Sequence, residues 1–126
     1  MKRVEVYWNF RRKLFSVRSL EGSDKGRVID RVNAIILSNV EFKVSEAGRQ
    51  RVLRDQRKNV HAVIRGEWQG DYPDAIMSNT VSEVKYNPYR DKTFVLNTGE
   101  AIYRAVAVMC EVNQRGREPK VWAAVL

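Results

Sequence analysis

The sequence predicts an α+β fold rich in β-strand, with two antiparallel β-meanders flanking one short basic helix. Residues 39–45 alternate apolar and charged side chains, which is typical of a half-buried strand. Between the predicted meanders, residues 46–65 are dominated by arginine. Strand-like runs rich in β-branched and aromatic residues recur on both sides of this stretch, separated by short polar turns. These observations favour antiparallel pairing over a helical fold.

The basic stretch begins as a helix and continues as a strand. Ser45 is a suitable N-cap, Glu46 suits the positive end of the helix dipole, and Asn59 is a suitable stop. The strand that follows is predicted at residues 60–68. Arginine side chains held on such a helix can chelate phosphate oxygens, but a solvated helix face explains the same composition equally well.

The remaining elements follow from local patterns. Polar turns are predicted at residues 21–27, 97–99 and 114–119. Strands are predicted at residues 4–10, 13–18, 28–37, 81–86, 93–96, 100–112 and 120–126. In the first strand the apolar side chains of Val4, Val6 and Trp8 share one face, with Glu5 and Tyr7 on the other.

Two parts of the chain resemble each other. Residues 14–44 can be aligned with residues 93–125, which places Gly26 with Gly99 and Arg31 with Arg104. We therefore predict an internal duplication within a single domain spanning residues 1–126. Any two antiparallel meanders share part of this pattern, so chance similarity is the alternative.

Composition restricts the class of protein. A formal charge of +8 over 126 residues favours a polyanionic partner, although excess charge also promotes solubility. Cys110 is the only cysteine, which excludes an intrachain disulfide and fits a reducing cytosol. No apolar run has the length of a signal peptide or a membrane span, so we expect no membrane association.

The sequence offers little support for catalysis. It has no phosphate-binding Gly-Lys-Ser/Thr loop and, with one Cys and one His, no zinc site of the usual spacing. His61 lies in an apolar run, where a structural role is more common than that of a general base. Asp71 and Asp74 fit a cation site or simple turn chemistry equally well. We therefore predict a protein that is not an enzyme and needs no cofactor.

What remains is a set of residues suited to binding nucleotides. Tyrosines supply faces on which a base can stack, amides can contact a base edge or ribose, and arginines bind phosphate. For each tyrosine, partial burial with the hydroxyl in solvent is the simpler explanation. The candidates identified by position are Tyr86, Asn87, Tyr89, Asn97, Arg104, Arg115 and Arg117.

Two runs carry a resemblance to a known family. Residues 39–66, which include Arg-Lys-Asn-Val-His at positions 57–61, and Lys-Tyr-Asn-Pro-Tyr at positions 85–89 resemble the Thoeris anti-defence proteins of the first type. The resemblance implies a phage protein that sequesters glycocyclic ADP-ribose without cleaving it. Some members also hold cyclic di- or trinucleotides at separate sites on a homo-oligomer, often a hexamer. Its place of action would be the cytoplasm of the infected bacterial host.

The resemblance also assigns roles to residues by motif. It places Arg57 near phosphate, within a run that includes Lys58, Asn59 and His61, and makes Tyr86 or Tyr89 the stacking aromatic. Three alternatives remain open at this stage. They are a single-stranded nucleic-acid-binding phage protein, a nuclease using His61 and an arginine, and a structural protein whose charge serves only solubility.

Overall fold

A single antiparallel sheet of nine strands and one α-helix make up the part of the chain that the computed structural model describes, residues 2–55, 62–69 and 81–124. The strands are β1 (Lys2–Asn9), β2 (Leu14–Ser19), β3 (Val28–Val32), β4 (Ala34–Val44), β5 (Ala62–Gln69), β6 (Val81–Lys85), β7 (Val95–Leu96), β8 (Arg104–Asn113) and β9 (Glu118–Ala124). The helix is α1 (Glu46–Asp55). The predicted β-rich fold with a short basic helix is therefore confirmed.

The strands follow the order β3-β2-β1-β5-β4-β8-β9-β6-β7. β5 and β4 lie near the middle of this sheet and are joined in sequence through α1. Alternation along β1, β4 and β5 gives one face of the sheet its apolar side chains, and Leu37 of β4 and Val108 of β8 are completely buried there. Residues of β1 and β6, which have four strands between them, line one cavity, and this shows that the sheet is strongly curved.

The pairing confirms local hairpins but leaves the two predicted meanders unconfirmed. β2 and β3 pair across the predicted turn at residues 21–27, and β8 pairs with β9. However, β4 pairs with β5 and β8 rather than with β3. Likewise β7 pairs with β6, not with β8. The partners of the longer strands are thus chosen by non-local contacts.

Several predicted strand boundaries were wrong. The break predicted near Ser38 lies instead at Asn33, whose carbonyl oxygen accepts a hydrogen bond from Val112 N–H (2.8 Å). β4 continues through position 38 because a bulge absorbs the irregularity: the register with β5 shifts between Ser38 and Glu41, and Asn39 adopts a φ of 50°. The strand predicted from residue 100 begins at Arg104, after an isolated bridge between Val95 and Ala101.

The start of α1 confirms the predicted cap. Gly48 N–H donates to Ser45 Oγ (3.1 Å), which satisfies one of the amides that an α-helix leaves free at its first turn. Gly48, Arg49 and Val52 are buried. The predicted stop at Asn59 lies outside the described residues, as do the first residues of the predicted strand at 60–68. None of the described helices has the length and apolar composition needed to cross a membrane.

Candidate ligand-binding cavity

A cavity of about 450 Å³ lies between the two ends of the curved sheet. β1, β2 and β5 supply one wall, and β6, β9 and the segment after β6 supply the other. Most of the lining is apolar, and its principal side chains are Trp8, Phe10, Phe15, Ile64, Tyr86 and Phe94. These elements are not neighbours in the strand order. The cavity therefore forms because the sheet curves and brings them together.

Aromatic pairs build both walls. On one side, the rings of Trp8 and Phe15 meet edge to face, with centroids 5.0 Å apart. On the other, Phe94 packs against Tyr86 (5.3 Å) and against Phe42 of the central strand β4 (5.1 Å). Such contacts are stabilising beyond the area they bury and limit ring movement. Both walls of the cavity are therefore lined by packed aromatic rings.

Tyr86 sits where α1 meets the loop after β6. Burial raises the pKa of its phenol to about 12, although Arg49 nearby acts in the opposite direction. Arg49 is itself only 8% exposed and joins the two elements: its Nε donates to the carbonyl oxygen of Asp91 (2.9 Å), and its Nη1 donates to Glu46 Oε1 (3.2 Å). Tyr86 thus enters the cavity as a neutral phenol at physiological pH.

The rim of the cavity carries charges that balance one another. Glu83 forms ion pairs with Lys85 (Nζ to Oε1, 3.4 Å) and, at a longer distance, with Lys120 (Nζ to Oε2, 3.9 Å). Glu118 also contributes to the rim. Two cations and two carboxylates leave this part of the mouth without net charge, so an anion gains little here from long-range attraction.

The outer face of the sheet, opposite the cavity, carries a row of alternating charges that we call the charge ladder: Arg18, Glu5, Arg65, Glu41 and Arg104. In the register of five adjacent strands each member is directly opposite the next. Glu5 is only 6% exposed, and its two carboxylate oxygens contact Arg18 Nη1 (3.1 Å) and Arg65 Nε (3.0 Å). Opposite charges in cross-strand pairs stabilise the sheet.

The rest of the ladder is more exposed. Glu41 contacts Lys43 Nζ (3.3 Å) on its own strand. A hydrogen bond from Lys43, together with the charges of Arg104 and Arg65, holds the pKa of Glu41 below its usual value. At the other end, the Arg18 guanidinium lies over the Tyr7 ring, 5.2 Å from its centroid.

Residues 1–117 match the family described as "Mycobacterium phage L5 gene 82 protein". The chain belongs to this family. One relative, the "Gene 82 protein" of Mycobacterium phage L5, is 41% identical over 99 residues, which is 74% of this chain and 76% of that protein. No solved structure matches. The part matched to the gene 82 family includes β1 to β8, and so every aromatic residue of the cavity wall.

In this gene 82 family member the predicted binding residues fall in different places. Tyr86 lines the cavity, and Asn87 and Tyr89 follow in the adjoining loop, where Asn87 Oδ1 accepts a hydrogen bond from Tyr89 N–H (2.9 Å). Arg104 lies on the charge ladder and not in the cavity. Exposed turns carry Asn97, Arg115 and Arg117, the last two just before the rim residue Glu118. Arg57, Lys58, Asn59 and His61 lie outside the described residues.

Sequence reasoning missed the half of the cavity contributed by the first hairpin. Trp8, Phe10 and Phe15 were counted as ordinary strand residues. One sequence feature could have drawn attention to this hairpin as part of a binding site: Phe10 is followed directly by three cations in a turn, Arg11, Arg12 and Lys13. What the sequence could not supply was that Phe10, the first residue of that turn, forms part of the cavity lining.

Proposed function

We propose that this protein binds a small cyclic nucleotide in the aromatic cavity and sequesters it without cleaving it. The observation that carries the proposal is the cavity itself, whose flat walls are formed by Trp8 and Phe15 on one side and Tyr86 and Phe94 on the other. Its volume of about 450 Å³ is in the range of small-molecule sites. Nucleobases stack on aromatic side chains whatever their sequence.

The biological setting that we propose is phage evasion of bacterial immunity. The resemblance of residues 39–66 and 85–89 to the Thoeris anti-defence proteins supports a ligand of the glycocyclic ADP-ribose or cyclic oligonucleotide class. The phage L5 relative is consistent with a phage origin. We propose that it acts as a homo-oligomer in the host cytoplasm, and that residues 14–44 and 93–125 derive from one duplicated meander.

Sequestration rather than turnover is proposed because the described lining supplies poor catalytic groups. Tyr86, whose pKa is raised to about 12 by burial, neither releases nor accepts a proton readily near neutral pH. Glu83 is held by two lysines at the rim.

Replacing Trp8 by leucine is expected to weaken ligand binding at least ~5-fold, because stacking on one aromatic side chain contributes roughly 1–3 kcal/mol per base. The measurement is calorimetric titration with glycocyclic ADP-ribose and, separately, a cyclic trinucleotide. Ligand recovered after heat denaturation should be chemically intact.

Trp68→Leu is the matched control. Trp68 packs against the same core but does not line the cavity, so its variant should bind as the unaltered protein does. Absence of binding to both ligands, or recovery of cleaved ligand, would contradict the proposal. Equal losses in both variants would show that Trp8 acts through stability alone.

A second candidate function is favoured by two exposed tyrosine–arginine pairs. Tyr89 and Tyr103 are each 62% exposed and each precedes an exposed arginine, Arg90 and Arg104. Stacking platforms beside cations are typical of proteins that bind single-stranded nucleic acid. A binder of this kind that contacts six to ten phosphates should lose roughly 10³–10⁵ in affinity for an oligonucleotide between ~50 and ~200 mM salt. A closed nucleotide site should lose far less.

A further inference from the structure

The turn between β1 and β2 is held in one conformation by Asn9. Its side-chain Oδ1 accepts hydrogen bonds from the backbone N–H groups of Arg11 (3.1 Å) and Arg12 (3.0 Å). Its backbone oxygen accepts a third from Lys13 N–H (2.9 Å), and Lys13 closes the turn with a φ of 57°. This pattern makes the turn a preorganised support for its side chains.

The same turn carries three consecutive cations. Arg11, Arg12 and Lys13 are all exposed, and no ion pair links any of them to an acid in residues 2–55, 62–69 or 81–124. Some other cations of the protein are already paired with acids. Arg54 pairs with Asp55 (3.1 Å), and Lys85 with Glu83 (3.4 Å).

The position of the turn relates these cations to the cavity. Phe10, which begins the turn, is 41% exposed and forms part of the cavity lining. Consecutive Cα atoms are about 3.8 Å apart, so the backbone of each of the three cations lies within one to three residues of this lining residue. A ligand that fills the cavity and extends past Phe10 would meet them directly.

We propose that the β1–β2 turn is the anion-binding end of the cavity and that the ligand is an aromatic anion. In this arrangement a flat ring enters between the aromatic walls while a phosphate remains outside, on Arg11, Arg12 and Lys13. The inference rests on the proposed function and narrows its ligand. The choice of an aromatic anion follows from the apolar lining of the cavity. Such a lining favours an aromatic ring, but it penalises an anion that is buried without a partner, so the charge has to remain outside.

The β1–β2 turn and the rim of the cavity are both candidates for the phosphate site, and their charge balance favours the turn. Lys85 and Lys120 both pair with Glu83, so an incoming phosphate would have to compete with a carboxylate already in place. The turn contributes three positive charges with no such competitor among the described residues. Arginine in particular can contact a phosphate through two N–H groups at once.

The test uses two fluorescent probes that share an aromatic body. 1-Anilinonaphthalene-8-sulfonate carries an anion, whereas N-phenyl-1-naphthylamine is neutral. In the triple variant Arg11→Gln, Arg12→Gln, Lys13→Gln we expect the affinity for the anionic probe to fall ~10-fold, from the summed loss of exposed charge interactions. Affinity for the neutral probe should change less than ~2-fold, because the aromatic walls are intact.

The control triple variant is Arg3→Gln, Lys25→Gln, Arg27→Gln, which removes the same charge from exposed positions at the opposite end of the β1–β2 hairpin. It should leave both affinities unchanged. Equal weakening by the two triple variants would show general attraction to a cationic protein and overturn the assignment. Loss of both probes in the turn variant, or failure of the unaltered protein to bind the anionic probe, would also overturn it.

The outcome also distinguishes this assignment from the proposed function. If the turn variant selectively loses the anionic probe while calorimetry shows no binding of either cyclic nucleotide, the turn stands as an anion site and the cyclic-nucleotide proposal falls. If cyclic nucleotides bind equally well to the unaltered protein and the turn variant, the turn assignment falls and the proposed function stands.

Discussion

Replacing Glu5 by glutamine is expected to lower the free energy of unfolding by about 3 kcal/mol. Removing one partner of a buried ion pair leaves the other charge uncompensated, which typically costs ~3–5 kcal/mol. The lower end applies because the side chains of Arg18 and Arg65 keep 27% and 35% of their exposure and can still be hydrated. Urea unfolding at neutral pH would measure the change.

Glu41→Gln is the control for this prediction. Glu41 belongs to the same charge ladder but keeps 31% of its side chain exposed, and its ion pair with Lys43 is open to solvent. Exposed pairs contribute about 0–1 kcal/mol, so this variant should stay within ~1 kcal/mol of the unaltered protein. Similar stability of the Glu5 and Glu41 variants would contradict the view that burial makes the ion pairs of Glu5 more stabilising than those of Glu41.

Gly66→Ala should destabilise the protein by about 3 kcal/mol, at the upper end of ordinary overpacking effects. A Cβ at this position would lie 2.9 Å from the backbone oxygen of Ser38 and 3.0 Å from Leu37 Cβ. The clash cannot be relieved by a side-chain rotation, because Ser38 belongs to the bulge of β4 and β4 is hydrogen-bonded on both sides. Thermal or urea unfolding provides the measurement.

Gly116→Ala gives the matched comparison. The Cβ added there would meet only the flexible side chain of Glu118, at 3.4 Å from its Cγ. We expect a change within ~0.5 kcal/mol, as for most surface substitutions. If Gly66→Ala changed the free energy of unfolding as little as Gly116→Ala, the backbone of β4 would have to shift at its bulge. That result would contradict the statement that the clash at Gly66 cannot be relieved.

Local sequence patterns predicted the elements better than their arrangement. Alternation is a property of a single strand, so β1 and the second part of β4 could be predicted without knowledge of any partner. The same holds for the N-cap Ser45, which is recognised from its own residue type and position. Pairing is different. β1 is joined to β5, far along the chain, and β4 to β8, and no periodicity within a strand specifies such a neighbour.

For the candidate site, too, sequence patterns predicted what depends on a local segment and not what depends on the arrangement of the sheet. The proline-containing segment after β6 predicted Tyr86 as a binding residue, and Tyr86 lines the cavity. Trp8 and Phe15 could not be recognised as its counterparts, because their approach depends on the curvature of the whole sheet. Glu5 illustrates the reverse case: alternation assigns it to the polar face, but its burial arises from two arginines on neighbouring strands.

The central position of β4 has a consequence for the newly made chain. On the ribosome, β4 and β5 are complete well before β8, which begins at Arg104 and covers the second edge of β4. At ~5–20 residues per second, synthesis from the end of β5 at Gln69 to Arg104 takes roughly 2–7 s. Throughout that interval an apolar strand offers unpaired backbone groups to any other nascent chain nearby. The second edge of the central strand β4 is therefore protected only after the chain has been made as far as β8.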